Sequence, residues 1–125
     1  EAVLYPDAMD TLKYLKKKGY HLVYLSNSKI YYMDLMRQTF DLNKYFDTML
    51  CSEMYDFIPK KDILKQEISR FDKDMVMIGD RELDIETGIY NKIYTIGCTY
   101  GYGDPYELNQ ADALIENIKD LKELL

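Results

Sequence analysis

Cysteine and histidine are scarce in this 125-residue sequence, with two of the first and one of the second. Their scarcity removes whole classes of chemistry. Cys51 and Cys98 lie far apart and form no Cys-x-x-Cys or Cys/His cluster, so neither a zinc site nor a disulfide framework is indicated, and free thiols point to a reducing compartment. His21 has no partner histidine or cysteine nearby; it is read as structural, opening a strand. No apolar stretch approaches the length of a membrane-spanning helix, and the N-terminus lacks the charged and apolar regions of a signal peptide. No membrane association is expected, and the expected location is cytoplasmic. Positive charge is short as well: 16 Lys and Arg face 22 Asp and Glu, for a formal net charge of -6. Phosphate backbones reward clustered cations, so nucleic-acid binding is disfavoured. Lys16-Lys17-Lys18 is read as closing a helix, where cations meet the negative end of the dipole.

What is present is the composition of a soluble globular protein, 47% hydrophobic and 30% charged, over a length that fits one domain, 1–125, with a sizeable core. The 13 tyrosines and 7 methionines are spread along the chain and read as core and groove filler. Helix and strand signals alternate from end to end, the mark of a parallel sheet with helices on its faces. Ala8, Leu12 and Leu15 share a helical face between a capping Asp7 and a terminating Gly19. Tyr20 to Leu25 then reads as a strand, Met33, Met36 and Phe40 as a second helix, and Thr48 to Cys51 as a short strand before the Pro59 break. Leu64, Ile68 and Phe71 mark a third helix; Met75 to Ile78 has the length of a strand buried on both faces. Ile85 and Ile89, with Gly88 between them, suggest a helix packed closely on the sheet. Strands at Ile93 to Ile96 and Ala113 to Ile115 and a last helix with Ile118, Leu121 and Leu124 complete the pattern.

Three polar stations fall at the carboxyl ends of these strands or at a helix start. In open parallel sheets the crevice beyond the strand ends is where ligands bind. The first is Ser26-Asn27-Ser28, a hydroxyl and an amide able to hold phosphoryl oxygens. Pro59-Lys60-Lys61-Asp62 is the second, where an ammonium and a helix N-terminus could neutralise an anion. The third is Gly79-Asp80-Arg81-Glu82-Leu83-Asp84, in which Asp80 offers a hard oxygen ligand for Mg2+. Each has a plain structural reading as turn residue, solvated lysine or helix cap.

Taken in order, the stations resemble motifs two, three and four of the haloacid dehalogenase-like phosphohydrolases. The resemblance covers nearly the whole chain, from Leu4-Tyr5-Pro6 to the Ile96-Gly97-Cys98-Thr99-Tyr100-Gly101-Tyr102-Gly103 segment, and is nearest to the subfamily of phosphoglycolate phosphatase and beta-phosphoglucomutase. It implies a Rossmann-like parallel sheet with helices on both faces and Mg2+-dependent hydrolysis of small phosphorylated metabolites. It also implies roles: Ser26 and Asn27 on the transferring phosphoryl group, Lys60 balancing its charge with Lys61 as competitor, Asp80 on the metal, and Asp84 orienting the lysine or a metal-bound water. The family's frequent Lys-Pro pairing is absent here. The glycine loop is not a dinucleotide cradle but a tight turn near the site.

The family's nucleophile is an aspartate in a DxDGT-type segment, which becomes an aspartyl phosphate. This sequence contains none; Asp72-Lys73-Asp74 has the spacing but precedes a strand and lacks the Gly-Thr turn. The expectation is a C-terminal core portion without its nucleophile strand and cap, inactive alone and a weak Mg2+ binder. That strand lies, in the family, between the strands that are here Tyr20 to Leu25 and Met75 to Ile78. The two are expected to close on each other, to share a strand with a second copy or a complementing N-terminal segment, or to leave the chain poorly stable. Two other readings compete. A receiver-like phosphoacceptor domain would place its acidic cluster before the hydroxyl and lysine, and a non-catalytic interaction protein could reuse the fold.

Overall fold

The computed structural model describes residues 7–100 and 105–125. The chain divides into two compact units, one made of Glu1–Ile58 with Ile118–Leu125 and the other of Pro59–Asn117.

In the first unit α1 (Ala8–Lys17) leads to β1 (Val23–Ser26), α2 (Ile30–Phe40) and β2 (Thr48–Cys51), and the short α5 (Leu121–Leu124) returns to it from the C-terminus. β1 and β2 are parallel, with Val23 opposite Thr48 and Ser26 opposite Cys51. Leu15, Met33, Leu42, Leu50, Cys51 and Leu121 form its core. Gly19 ends α1 with φ at 95°, a conformation that side-chain-bearing residues rarely adopt. Asp7 stands at the start of α1 without capping it through its side chain. Of the basic run, Lys16 holds Asp47 at 2.6 Å, and the Asp47 carboxylate also accepts the Leu22 amide. That pairing, added to the dipole, fixes the chain's entry into β1.

The second unit runs α3 (Lys60–Glu67), β3 (Val76–Gly79), α4 (Glu82–Tyr90), β4 (Tyr94–Cys98) and β5 (Ala113–Ile115). Its sheet is parallel in the order β3, β4, β5, with Gly79 opposite Gly97 and Cys98 opposite Ile115. Ile63, Leu64, Ile85, Ile96, Leu108 and Ile115 are buried between helices and strands. Gly88 is what lets α4 lie on the sheet: a Cβ there would fall 2.0 Å from the Thr95 hydroxyl. Parallel α/β organisation with sheets flanked by helices thus agrees with the alternation of the sequence.

Several expectations need correction. The strand at Met75 to Ile78 starts one residue later and is not buried on both faces, since Val76 is 37% exposed. It is an edge strand, hydrogen-bonded to β4 alone among the described residues. β1 begins at Val23, so His21 precedes the strand, where its ring meets the Thr48 hydroxyl at 3.2 Å. Among the described residues β1 pairs with β2 alone, so the expected direct pairing of β1 with β3 is not found. Both are half-exposed rather than buried, and water can satisfy edge groups that would be costly in a core. The third helix stops at Glu67 and tightens into a 3-10 turn, Ile68–Arg70, leaving Phe71 outside; the last begins with a 3-10 turn, Ile118–Asp120. The tyrosines are filler only in part: Tyr24 packs edge-on against Phe46, but Tyr31 and Tyr106 are 79% and 82% exposed, and Met33 is the one buried methionine among the described residues. The packing is aliphatic instead. The Leu4-Tyr5-Pro6 segment and residues 101–104 of the glycine loop lie outside the described residues.

Candidate functional site

In the second unit the site grows from the end of β3. Gly79 is its last residue, and a Cβ there would lie 2.1 Å from the Cβ of Asp84, so no side chain fits. The close approach lets the Asp84 carboxylate reach back over the turn. Its Oδ2 accepts the backbone N–H groups of Asp80 at 3.2 Å and Arg81 at 3.3 Å, and its Oδ1 takes the Lys60 ammonium at 2.6 Å. Both side chains of the pair are nearly buried, at 12% and 11% exposure. A cation in the first turn of a helix opposes the dipole, and Lys60 occupies that turn of α3; Asp84 compensates it across the gap between two helices. The resulting brace fixes three things together: the lysine, the Asp80 turn and the start of α4.

Lys61, one residue on, faces elsewhere. Its ammonium pairs with Glu86 at 3.1 Å and lies 5.2 Å from the centre of the Tyr90 ring, and the Glu86 carboxylate raises its pKa. Of the two lysines, Lys60 is the one brought to the Asp80 turn.

Cys98, at the end of β4, is a neighbour that sequence reasoning missed. Burial pushes its thiol up to about 11, a hydrogen bond with Tyr100 pulls the other way, and the charges of Asp80 and Asp84 push it further up. The register that pairs Gly79 with Gly97 makes the residues that follow each of them neighbours, and the sequence carries no signal for that register.

In the first unit Ser26 closes β1. Its hydroxyl donates to that of Ser28 at 2.8 Å, and Tyr24, two residues earlier on the same face of the strand, shares a hydrogen bond with it. Burial raises the Tyr24 phenol, and the Ser26 contact lowers it. Asn27 is exposed at the turn. The carbonyl of Ser28 accepts both the Ser52 hydroxyl at 3.1 Å and the Glu53 amide at 3.2 Å, which ties the turn to the end of β2.

Mg2+ prefers octahedral oxygen coordination. Among the described residues no three His, Cys, Asp or Glu side chains are grouped so as to hold a metal ion, and Asp84 is committed to Lys60. These residues do not by themselves fit the ion.

Parallel strands flanked by helices, with a hydroxyl turn at a strand end in one unit and a lysine-aspartate brace in the other, define an α/β protein. The chain belongs to the haloacid dehalogenase-like hydrolases, whose family profile matches residues 1–90. It is 27% identical over 124 residues to phosphoglycolate phosphatase of Escherichia coli K12, covering 94% of this chain and 49% of that protein. With the Aliivibrio fischeri phosphoglycolate phosphatase it shares 26% over 128 residues, 98% of this chain and 56% of that one. The chain spans about half the length of the curated relatives it matches. Among solved structures, a predicted phosphatase from Clostridium acetobutylicum superposes with a TM-score of 0.85 at 28% identity, over 96% of this chain and 58% of that one. A predicted phosphoglycolate phosphatase from Haemophilus somnus reaches 0.85 at 23% identity over 98% and 57%, a likeness of fold. No helix among the described residues is long and apolar enough to cross a membrane.

Proposed function

We propose that this chain carries the phosphoryl-binding and charge-balancing part of a phosphohydrolase that acts on small phosphomonoesters through an aspartyl phosphate. The observation that supports it best is the Lys60 to Asp84 pair, 2.6 Å long and nearly buried, bound on its other oxygen to the amide of Asp80. An ammonium held on a fixed carboxylate has lost its freedom to swing into solvent, and it can meet the charge that develops on phosphoryl oxygens without reorganising. Ser26 donates its hydroxyl to the same group, with Asn27 assisting. That grouping rests on the order of the motifs in the chain, not on a distance between the two units. Asp80 contributes one carboxylate to Mg2+ binding, short of a complete ligand set. The reading includes a cytoplasmic location. It also includes a partner strand, from a second copy or an N-terminal segment, along the edges of β1 and β3 that pair with no strand among the described residues.

The 125 residues contain no DxDGT-type segment, and on this reading the nucleophilic aspartate is supplied from outside them. The chain alone is therefore expected to turn over p-nitrophenyl phosphate negligibly; Mg2+-dependent turnover that Asp80→Asn abolishes would show that its own residues suffice. The product of the complete open reading frame, assayed on phosphoglycolate, sugar phosphates and nucleoside monophosphates, is expected to release phosphate and to lose at least a hundredfold in rate on Lys60→Ala, the order of an electrostatic stabiliser. No release from any of the three substrate classes would favour a non-catalytic interaction protein.

A further inference from the structure

The helices that follow the two site turns begin badly by local rules. Lys29 and Arg81 stand at the N-cap positions of α2 and α4, where neither side chain can accept a hydrogen bond and each puts a cation at the positive end of the dipole. Yet the first amides of both helices have anionic acceptors. Ile30 donates its N–H to Glu53 Oε1 at 2.7 Å, and Glu82 donates its N–H to Glu107 Oε2 at 3.0 Å. Arg81 Nε donates to the same Glu107 oxygen at 3.1 Å, which neutralises the ill-placed cation.

The two glutamates come from equivalent places. Glu53 belongs to a 3-10 turn, Ser52–Tyr55, which follows β2, the strand paired with β1. Glu107 belongs to a 3-10 turn, Pro105–Leu108, which comes after β4, the strand paired with β3. In each unit the neighbouring strand is thus followed by a turn whose glutamate caps the helix leaving the site. Each turn is also held a second time, at the Ser28 carbonyl by Ser52 and the Glu53 amide, and at the Asp80 and Arg81 amides by Asp84. A loop fixed at its helix end and again along its backbone keeps few conformations.

We propose that Glu53 and Glu107 are positioning residues which hold the Ser26–Asn27–Ser28 and Asp80–Arg81 turns in place, each working through the helix it caps. The inference rests on the reading of Ser26 and Asp80 as phosphoryl-site residues. The order it assigns to the turns can be measured without substrate.

The test is amide hydrogen exchange, followed by NMR on the 125-residue chain, for Glu53→Ala, Glu53→Gln, Glu107→Ala and Glu107→Gln. Glu107→Ala is expected to reduce protection of the Glu82 amide about tenfold, the factor that corresponds to a typical capping loss. The amides of Asp80 and Arg81, whose acceptor is Asp84 and not Glu107, should lose protection with it. Glu53→Ala should do the same to Ile30 and to the amide of residue 53, whose acceptor is the Ser28 carbonyl. The glutamine variants should restore protection to within about threefold, because the amide carbonyl still accepts. Unchanged protection at Asp80, Arg81 and residue 53 overturns the proposal. So does an equal loss at core amides such as Leu50 and Ile96, which would reveal only a general stability effect. A negative phosphatase assay of the complete open reading frame's product overturns the proposed function and leaves these exchange outcomes as they are.

Discussion

The two strand ends that carry the site residues are built from different materials. At the end of β3 the turn is held by charge in a nearly dry place: Asp84 binds two amides and an ammonium, at 11% exposure of its side chain. At the end of β1 the turn's own bonds are between neutral groups, hydroxyl to hydroxyl and hydroxyl to carbonyl, joining the half-exposed Ser26 and Ser28 to the buried Ser52, and a carboxylate, Glu53, enters only at the helix that follows. The charged turn holds an ammonium and a carboxylate that balance each other, and it depends on both being present, because a buried ion without its partner is costly. The neutral turn keeps donors that can rotate, and it tolerates loss because water substitutes for a missing hydroxyl.

The sharpest way to break this contrast is to delete one member at each end. Asp84→Ala leaves the Lys60 ammonium nearly buried and alone, and is expected to cost about 3–5 kcal/mol. Ser26→Ala removes one half-exposed hydroxyl and should cost about 1 kcal/mol. Urea unfolding of the two variants beside the parent measures both. Equal losses would mean that the Asp84 turn is no more charge-dependent than its counterpart.

An alkaline titration sharpens it next. Between the unfolded value of 9.0 and the folded value of about 11, the Cys98 thiol keeps its proton in the native state while the unfolded chain releases it. The unfolded state then binds fewer protons, so stability is full below pH 9, falls as pH rises, and has lost about 2–3 kcal/mol from this group by pH 11. Tyr24, also raised by burial, adds a loss of the same sign that begins from its ordinary value of 10.0. Urea midpoints taken from pH 8 to 11 should therefore decline, and Cys98→Ala should flatten the part of the decline below pH 10. If the variant follows the parent, the thiol is not desolvated as its place at the end of β4 requires.

Local pattern carried much of this into the sequence reading, and the failures share a cause. Thr48–Cys51 and Ala113–Ile115 are strands with the predicted limits, and the packing demand of Gly88 could be read from its place between Ile85 and Ile89. Ser26, Lys60, Asp80 and Asp84 could be read as stations because each follows or opens an element whose period is clear. What could not be read was set by partners distant in sequence. The apolar run of β3 suggests burial on two faces, but burial depends on a second neighbouring strand, and β3 has β4 alone among the described residues. Glu53 and Glu107 cap helices 23 and 25 residues away, so no local signature marks them, and the cationic N-caps Lys29 and Arg81 argue against caps at all. The tyrosines, spread along the chain, read as core and groove filler, yet Tyr31 and Tyr106 lie at the surface, where a phenol is content with its hydroxyl in water.

The choice between Lys60 and Lys61 shows the same limit and supplies the smallest expected effect. In sequence the two are interchangeable, a lysine pair after a proline. One residue step separates their fates, because residues adjacent along a helix point about 100° apart and only one of them can face Asp84. Lys61 keeps a salt bridge to Glu86 at 3.1 Å and a place over the Tyr90 ring, both on the solvated side of α3 and α4, where screening and side-chain entropy cancel most of what such contacts give. Lys61→Ala is therefore expected to leave the urea midpoint unchanged, and to leave the rate of phosphate release by the complete open reading frame's product unchanged as well, while Lys60→Ala lowers both. A Lys61→Ala variant that loses activity with its stability intact would move the charge-balancing role one residue along the helix and detach it from the Asp84 brace.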